Sequence, residues 1–133
     1  MSQENVEIVQ RGYAAFLRGQ PEDALPLIAE DFVATRVAPM PDPTPYHGPD
    51  GLTKILADWI QDFDEFEMNP EELIDVDDEH VVVRVHQRGV GAHSRAPIEA
   101  DFWFVHKLRD GKLVRTDIYG SQAQAFGAVG LAS

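Results

Sequence analysis

Val81-Val82-Val83-Arg84-Val85-His86-Gln87-Arg88 is the stretch on which the fold turns. Valine is β-branched and fits a pleated surface better than a helix. Successive strand residues point to opposite faces, so Val81, Val83, Val85 and Gln87 share one face and Val82, Arg84, His86 and Arg88 the other. An apolar face backed by a charged one describes a strand lying on a core. This strand is expected over Val81 to Val90.

Further strands surround it. Ile98 to Leu108 follows the polar connection Gly91-Ala92-His93-Ser94-Arg95-Ala96. The turn Arg109-Asp110-Gly111-Lys112 carries the Asp-Gly signal of a tight hairpin, and Leu113 to Tyr119 is its second arm. Phe66 to Val76 precedes the valine strand, with an irregularity expected at Pro70, and Phe32 to Val37 forms a short first strand. Alternation places Phe102, Phe104, His106 and Leu108 on one face, with Asp101, Trp103, Val105 and Lys107 on the other. In the last strand Val114, Thr116 and Ile118 oppose Arg115, Asp117 and Tyr119. Phe32, Ala34 and Arg36 share a face of the first strand.

Helices come before this meander. Val6, Val9, Tyr13 and Phe16 recur at spacings of three and four, giving an amphipathic helix that Ser2 can cap and Gly19 ends. Pro21, Glu22 and Asp23 suit the start of a second helix, which Pro26 should kink or shorten. A third, opening at Gly48-Pro49-Asp50, carries the stripe Leu52, Ile55, Leu56, Trp59, Ile60 and Phe63. Between them, Ala38-Pro39-Met40-Pro41-Asp42-Pro43-Thr44-Pro45 excludes helix and inner strand. It reads as a stiff surface connection or a rim over a site. Gln122 to Leu131 suits one short helix.

Helices followed by a strand meander indicate one α+β domain over residues 1–133. With three N-terminal helices on one sheet face, the other face should meet water or a second copy of the chain. The length suits a single core, and 44% apolar residues argue against wholesale disorder. The 11 Lys and Arg against 23 Asp and Glu give a formal charge of −12. That charge repels phosphate backbones and anionic lipid, so neither nucleic acid nor a membrane is an expected partner. Cysteine is absent, which removes thiolate chemistry and cysteine-ligated zinc. The first residues lack a basic segment and an apolar run, so the expectation is a soluble cytoplasmic protein. The five histidines show no ligand spacing, Gly89 and Gly91 lack the remainder of a phosphate loop, and no serine sits in a nucleophile elbow. No metal or cofactor is expected.

The motifs Asn5-Val6-Glu7-Ile8-Val9-Gln10-Arg11-Gly12-Tyr13, Phe16-Leu17-Arg18-Gly19, Tyr46-His47-Gly48, Pro70-Glu71-Glu72-Leu73-Ile74-Asp75 and Leu108-Arg109-Asp110-Gly111-Lys112-Leu113-Val114 span nearly the whole chain. In them the chain resembles the nuclear-transport-factor-2-like superfamily, and within it the SnoaL-like polyketide cyclase group. The resemblance implies a cone: a curved antiparallel sheet packed on three N-terminal helices and enclosing one pocket. It also implies a homodimer through the outer sheet face. The superfamily holds isomerases, dehydratases, epoxide hydrolases, cyclases and binding modules, so the fold names no reaction.

Taken with the alternation above, the cone places Tyr13, Phe16, Phe32, Trp59, Phe63, Val83, Val85, Phe104 and Ile118 around the pocket. Its polar groups are Arg36, Gln87, His106 and Thr116, with Tyr46 and His47 near the mouth. Apolar walls with a few directed polar groups suit an apolar small molecule. Related enzymes place acids where this chain carries Arg36, Phe104 and Ile118. The acid–base candidates are therefore His106, whose ordinary pKa lies near neutrality, and Asp117, which a one-residue slip would turn inward. Capping of the third helix is the plainer role for His47. Three readings compete: a small-molecule-binding protein; a cofactor-free isomerase, lyase or cyclase; and a dimeric module whose side chains fill the cavity.

Overall fold

The computed structural model describes residues 2–37 and 44–131, the side chain of Ser2 excepted. The cap expected from Ser2 and the proline run from Ala38 to Pro43 lie outside the described residues. Helix α1 (Ser2–Leu17) ends where Gly19 adopts φ +76°. The Gln20 N–H then donates to the Ala15 carbonyl and the Gly19 N–H to that of Phe16, a closure that needs a left-handed residue glycine supplies without strain. The second expected helix is a 3₁₀ segment, Pro21–Leu27. Pro26 has no N–H to donate and its ring crowds the preceding turn, so an α-helix does not propagate through it.

Strand β1 (Ile28–Arg36) starts four residues before the expected Phe32. After β2 (Tyr46–His47), Gly48 turns the chain at φ +96° and α2 (Gly51–Ile60) begins. His47 thus pairs in a strand with Val33, and the position ahead of α2 belongs to Asp50; the capping role expected of His47 is not found. Ile55, Leu56 and Trp59 are the buried stripe of α2. Strands β3 (Phe63–Asp75), β4 (His80–Gly91), β5 (Pro97–Arg109) and β6 (Lys112–Tyr119) form the meander, and α3 (Gln122–Val129) follows.

The order across the sheet is β2-β1-β6-β5-β4-β3. The meander is antiparallel throughout, and β1 closes it by running parallel to β6, which makes the sheet mixed. In the β5–β6 hairpin both turn residues, Asp110 and Gly111, have positive φ, the geometry that matches strand twist. Strand β3 is irregular twice, between Asp64 and Glu67 and between Pro70 and Glu72. Gly89 of β4 faces the first irregularity. A Cβ there would lie 3.3 Å from the Asp64 carbonyl oxygen, so the bulged backbone comes closer than a side chain comfortably allows.

The inner face carries the main core. Phe32, Ala34, Ile55, Val81, Val83, Val85, Phe104, Leu108 and Ile118 are all buried together. Each large side chain of this set contributes about 1.5–3 kcal/mol by leaving water. The alternation read from the valine strand holds, with one exception in β6. The pairing jumps from Lys107–Arg115 to Leu108–Leu113. Leu113 joins the core, while Val114, expected inward, stands half-buried at the irregularity.

The outer face is not left wholly to water or a second copy. Helix α3 packs on it, and Ala125 closes a second buried cluster with Val82 and Val105, flanked by Trp103, Tyr119 and Phe126. Ser121 caps α3 by accepting from the Gln124 N–H. Trp103, on this face of β5, is partly covered by the chain's own helix. The remainder of this face is a lattice of ion pairs. Arg84 meets Glu72 and Asp101, and Arg88 meets Glu67. His86 is hydrogen-bonded by one ring nitrogen to Asp101 at 2.7 Å and by the other to Glu99 at 2.8 Å. Among the described residues no helix is long and apolar enough to cross a membrane.

Candidate functional site

The side chains expected around one pocket are distributed over separate cavities and the solid core. Phe32, Val85, Thr116 and Ile118 are fully buried core residues and line none of the cavities described below. Tyr13, Phe16, Phe104 and His106 line a narrow cavity of about 50 Å³, together with Val9, Leu56, Met68 and Leu113. That is room for a few water molecules. Val83 borders a different groove of about 320 Å³ between α1 and β3, shared with Tyr13, Leu17 and Leu73. Arg36, Trp59, Phe63 and Gln87 surround a chamber of about 290 Å³ at the end of the sheet where β1 and β4 finish and β5 begins.

In the narrow cavity every polar group is paired. His106, 2% exposed, meets the Tyr13 hydroxyl at 2.9 Å through Nε2 and the Thr116 hydroxyl at 2.8 Å through Nδ1. Burial alone pushes the His106 pKa down to about 3 and the Tyr13 phenol well above its ordinary value. At neutral pH the imidazole is therefore neutral. It donates to one hydroxyl through its single N–H and accepts from the other. A base of such low pKa, with both nitrogens occupied, is poorly matched to proton transfer near pH 7.

Asp117 does not enter the interior. Its neighbour in the register is Val105 of the outer cluster, whereas Ile118 pairs with Phe104. Its carboxylate accepts from the Thr35 hydroxyl at 2.6 Å and from Arg115 Nε at 3.0 Å. The one-residue slip that would have made it a catalytic acid is absent.

The chamber is built differently. Trp59 and Phe102 meet edge to face, ring centres 4.8 Å apart, and Phe63 and Ile98 continue the apolar wall. Asp62 stands exposed at its edge. Arg36 donates through Nη2 to the Tyr46 hydroxyl at 3.2 Å and lies over the Tyr46 ring. Tyr46 in turn donates to Asp58, and that carboxylate raises the Tyr46 pKa. Among the described residues no carboxylate forms an ion pair with Arg36, although the chain carries a formal charge of −12. Two buried side-chain polar atoms here have no hydrogen-bond partner among the described residues: Arg36 Nε and Gln87 Oε1. Gln87 is 1% exposed. A buried acceptor left without a partner costs about 1–3 kcal/mol, and native proteins carry few of them.

Strand alternation had already grouped Arg36 and Gln87 with inward residues. It missed Ala100, Ile98 and Asp62 in the chamber wall. Ala100 lies opposite Gln87 in the β4–β5 register, and counting two residues back from Phe102 would have found it. Among the described residues no group of His, Asp and Glu could hold a metal ion.

Residues 9–116 match the family model for the SnoaL-like domain. Solved structures repeat the fold along nearly the full chain. An NTF2-like protein from Burkholderia xenovorans is 24% identical, with 97% of this chain and 98% of that one covered at a TM-score of 0.73. A putative SnoaL-like polyketide cyclase from Jannaschia is 16% identical, with 98% and 94% covered and a TM-score of 0.73. TerC, co-crystallised with polyporic acid, is 22% identical, with 95% and 97% covered and a TM-score of 0.73. Identities this low carry the fold and no activity. No curated protein matches the chain.

Proposed function

The chain belongs to the SnoaL-like domain family, and from that premise we propose that it is a small-molecule-binding protein whose ligand occupies the Arg36–Gln87 chamber. The carrying observation is the pair of unpartnered polar atoms, Arg36 Nε and Gln87 Oε1, in a chamber otherwise walled by Trp59, Phe63 and Phe102. Directed polar groups in an apolar concavity are what fix a ligand's orientation.

The narrow cavity supports a different description. Its small volume and fully paired polar groups suit an interior filled by its own side chains, as the third reading required. The acid–base reading is weakened by the neutral, doubly hydrogen-bonded His106 and by the outward Asp117. Pairing of two copies through the outer face is a further part of the proposal. The half-buried apolar side chains Ile74, Val76 and Trp103 on that face support it.

The chamber can be plugged. Ala100 faces into it from β5, so Ala100→Trp should fill the space while leaving the paired core untouched. Thermal-shift screening of the natural protein with apolar compounds bearing oxygen functions should yield stabilising ligands, and Ala100→Trp should abolish those shifts. Undiminished shifts in the plugged variant would place binding elsewhere and end this proposal.

A further inference from the structure

Resting on the chamber as the binding site, the ligand's chemistry can be read from the atoms left unpartnered. Arg36 offers a donor, Nε–H, that nothing among the described residues accepts. Its guanidinium is permanently charged, and among the described residues its only hydrogen-bond partner is the Tyr46 hydroxyl. The donor proton of that hydroxyl is already committed to Asp58. Arg36 is thus a partly enclosed cation with its charge balanced only at one remove. The complementary group is an oxygen that bears negative charge or attracts it by resonance.

Gln87 asks for the opposite. Its side chain lines the chamber, and its Oε1 is an acceptor with no partner among the described residues, in a strand position flanked across the sheet by Met68 and Ala100, neither of which has a side-chain donor. The remaining wall is mostly apolar, and the rings of Trp59, Phe63 and Phe102 offer both faces and edges to a planar ligand; about 290 Å³ lies at the lower end of small-molecule sites.

We infer that the ligand is a flat apolar molecule of one or two fused rings, carrying an anionic or enolate-like oxygen for Arg36 and a separate hydroxyl or N–H for Gln87. Either group alone satisfies half the site. Charge selects for the first, because the Arg36 guanidinium is permanently charged and no carboxylate among the described residues pairs with it. Hydrogen-bond polarity selects for the second, because an ether presents a lone pair to a lone pair.

The test is a matched series read by isothermal titration: 2-naphthoate, 2-naphthalenemethanol, the monohydroxy isomers of 2-naphthoate, and the methyl ether of each isomer. 2-Naphthoate should bind at least about tenfold more tightly than the alcohol, and one hydroxy isomer about tenfold more tightly than its own ether. Arg36→Met should erase the first preference and Gln87→Met the second, each leaving the other intact. Arg36→Lys, which keeps the charge and the fold, should retain preference for the acid. If every hydroxy isomer and its ether bind alike, the inference is overturned while the chamber stands as a site. If the two preferences survive Arg36→Met and Gln87→Met, the recognition lies in other residues and the inference is equally overturned. Binding that Ala100→Trp leaves undiminished would instead overturn the chamber itself.

Discussion

His106 and Gln87 invite comparison. Both are polar, both sit on inward positions of neighbouring strands, and both are almost completely buried. His106 closes both ring nitrogens with hydroxyls from α1 and β6. Gln87 leaves its amide oxygen with no partner among the described residues. Burial is therefore the same at the two residues, and pairing is what distinguishes them. The end of the interior near His106 is finished by the chain itself. The end near Gln87 leaves an acceptor that the described residues do not satisfy.

Removing the two side chains should therefore have unequal effects on stability. His106→Ala strands the hydroxyls of Tyr13 and Thr116 and opens a void, and should cost about 2–4 kcal/mol of unfolding free energy in urea titration. A loss below about 1 kcal/mol would mean that both hydroxyls are readily served by water, and the two ends would no longer differ. Gln87→Met keeps the shape and removes the unpartnered amide. It should leave stability unchanged or raise it by about 1 kcal/mol. A clear loss would show that the amide is paired in solution.

Titration sharpens the same point across the sheet. Burial holds the folded His106 pKa at about 3, whereas an unfolded histidine takes a proton near 6.5. Between these values the unfolded state binds the extra proton, so this group's contribution is complete above about pH 6.5 and is lost as pH falls towards 3. The slope is at most about 1.4 kcal/mol per pH unit. His86, on the outer face, behaves in reverse. Its hydrogen bond to Asp101, with a further one to Glu99, raises its pKa. Its contribution is present below the unfolded value and fades as pH rises through the folded one. Histidine ring resonances followed by NMR should show His86 titrating above the ordinary range and His106 silent down to strongly acid pH. The smallest effect expected is in Asp101→Asn, which should return His86 towards its ordinary pKa and leave His106 unmoved.

Much of this was legible beforehand because strand alternation is local. The valine strand assigned its own faces, and Phe104 and His106 followed from the same rule. What escaped needed knowledge of how strands align with one another. The β6 irregularity exchanged Val114 for Leu113, and nothing in the short hairpin sequence announces it. The division of one expected pocket depends on how far Tyr13 and Phe104 reach across the interior, which is a matter of three-dimensional packing. The unpartnered state of Gln87 is equally invisible in sequence. It depends on Met68 and Ala100 lying opposite, residues nineteen and thirteen positions away. The cover that α3 lays on the outer face could not be read either, because an Ala- and Gly-rich helix shows too little contrast between its sides to declare where it docks.

The parallel pairing of β1 with β6 has a consequence for how the molecule is made. Arg36 of β1 aligns with Ile118 of β6, and Thr35 with Asp117. On its other edge β1 has only the two-residue β2. While a ribosome is still synthesising the chain, β1 therefore has an open hydrogen-bonding edge until residue 118 has emerged. The meander of β3, β4 and β5 can assemble earlier from neighbouring segments, but the strand carrying Arg36 must wait for the far end. Such distant pairings slow folding and lengthen the period in which an exposed edge can meet another chain. Synthesis rate and temperature should thus govern the yield of folded protein through this one strand, before any ligand is encountered.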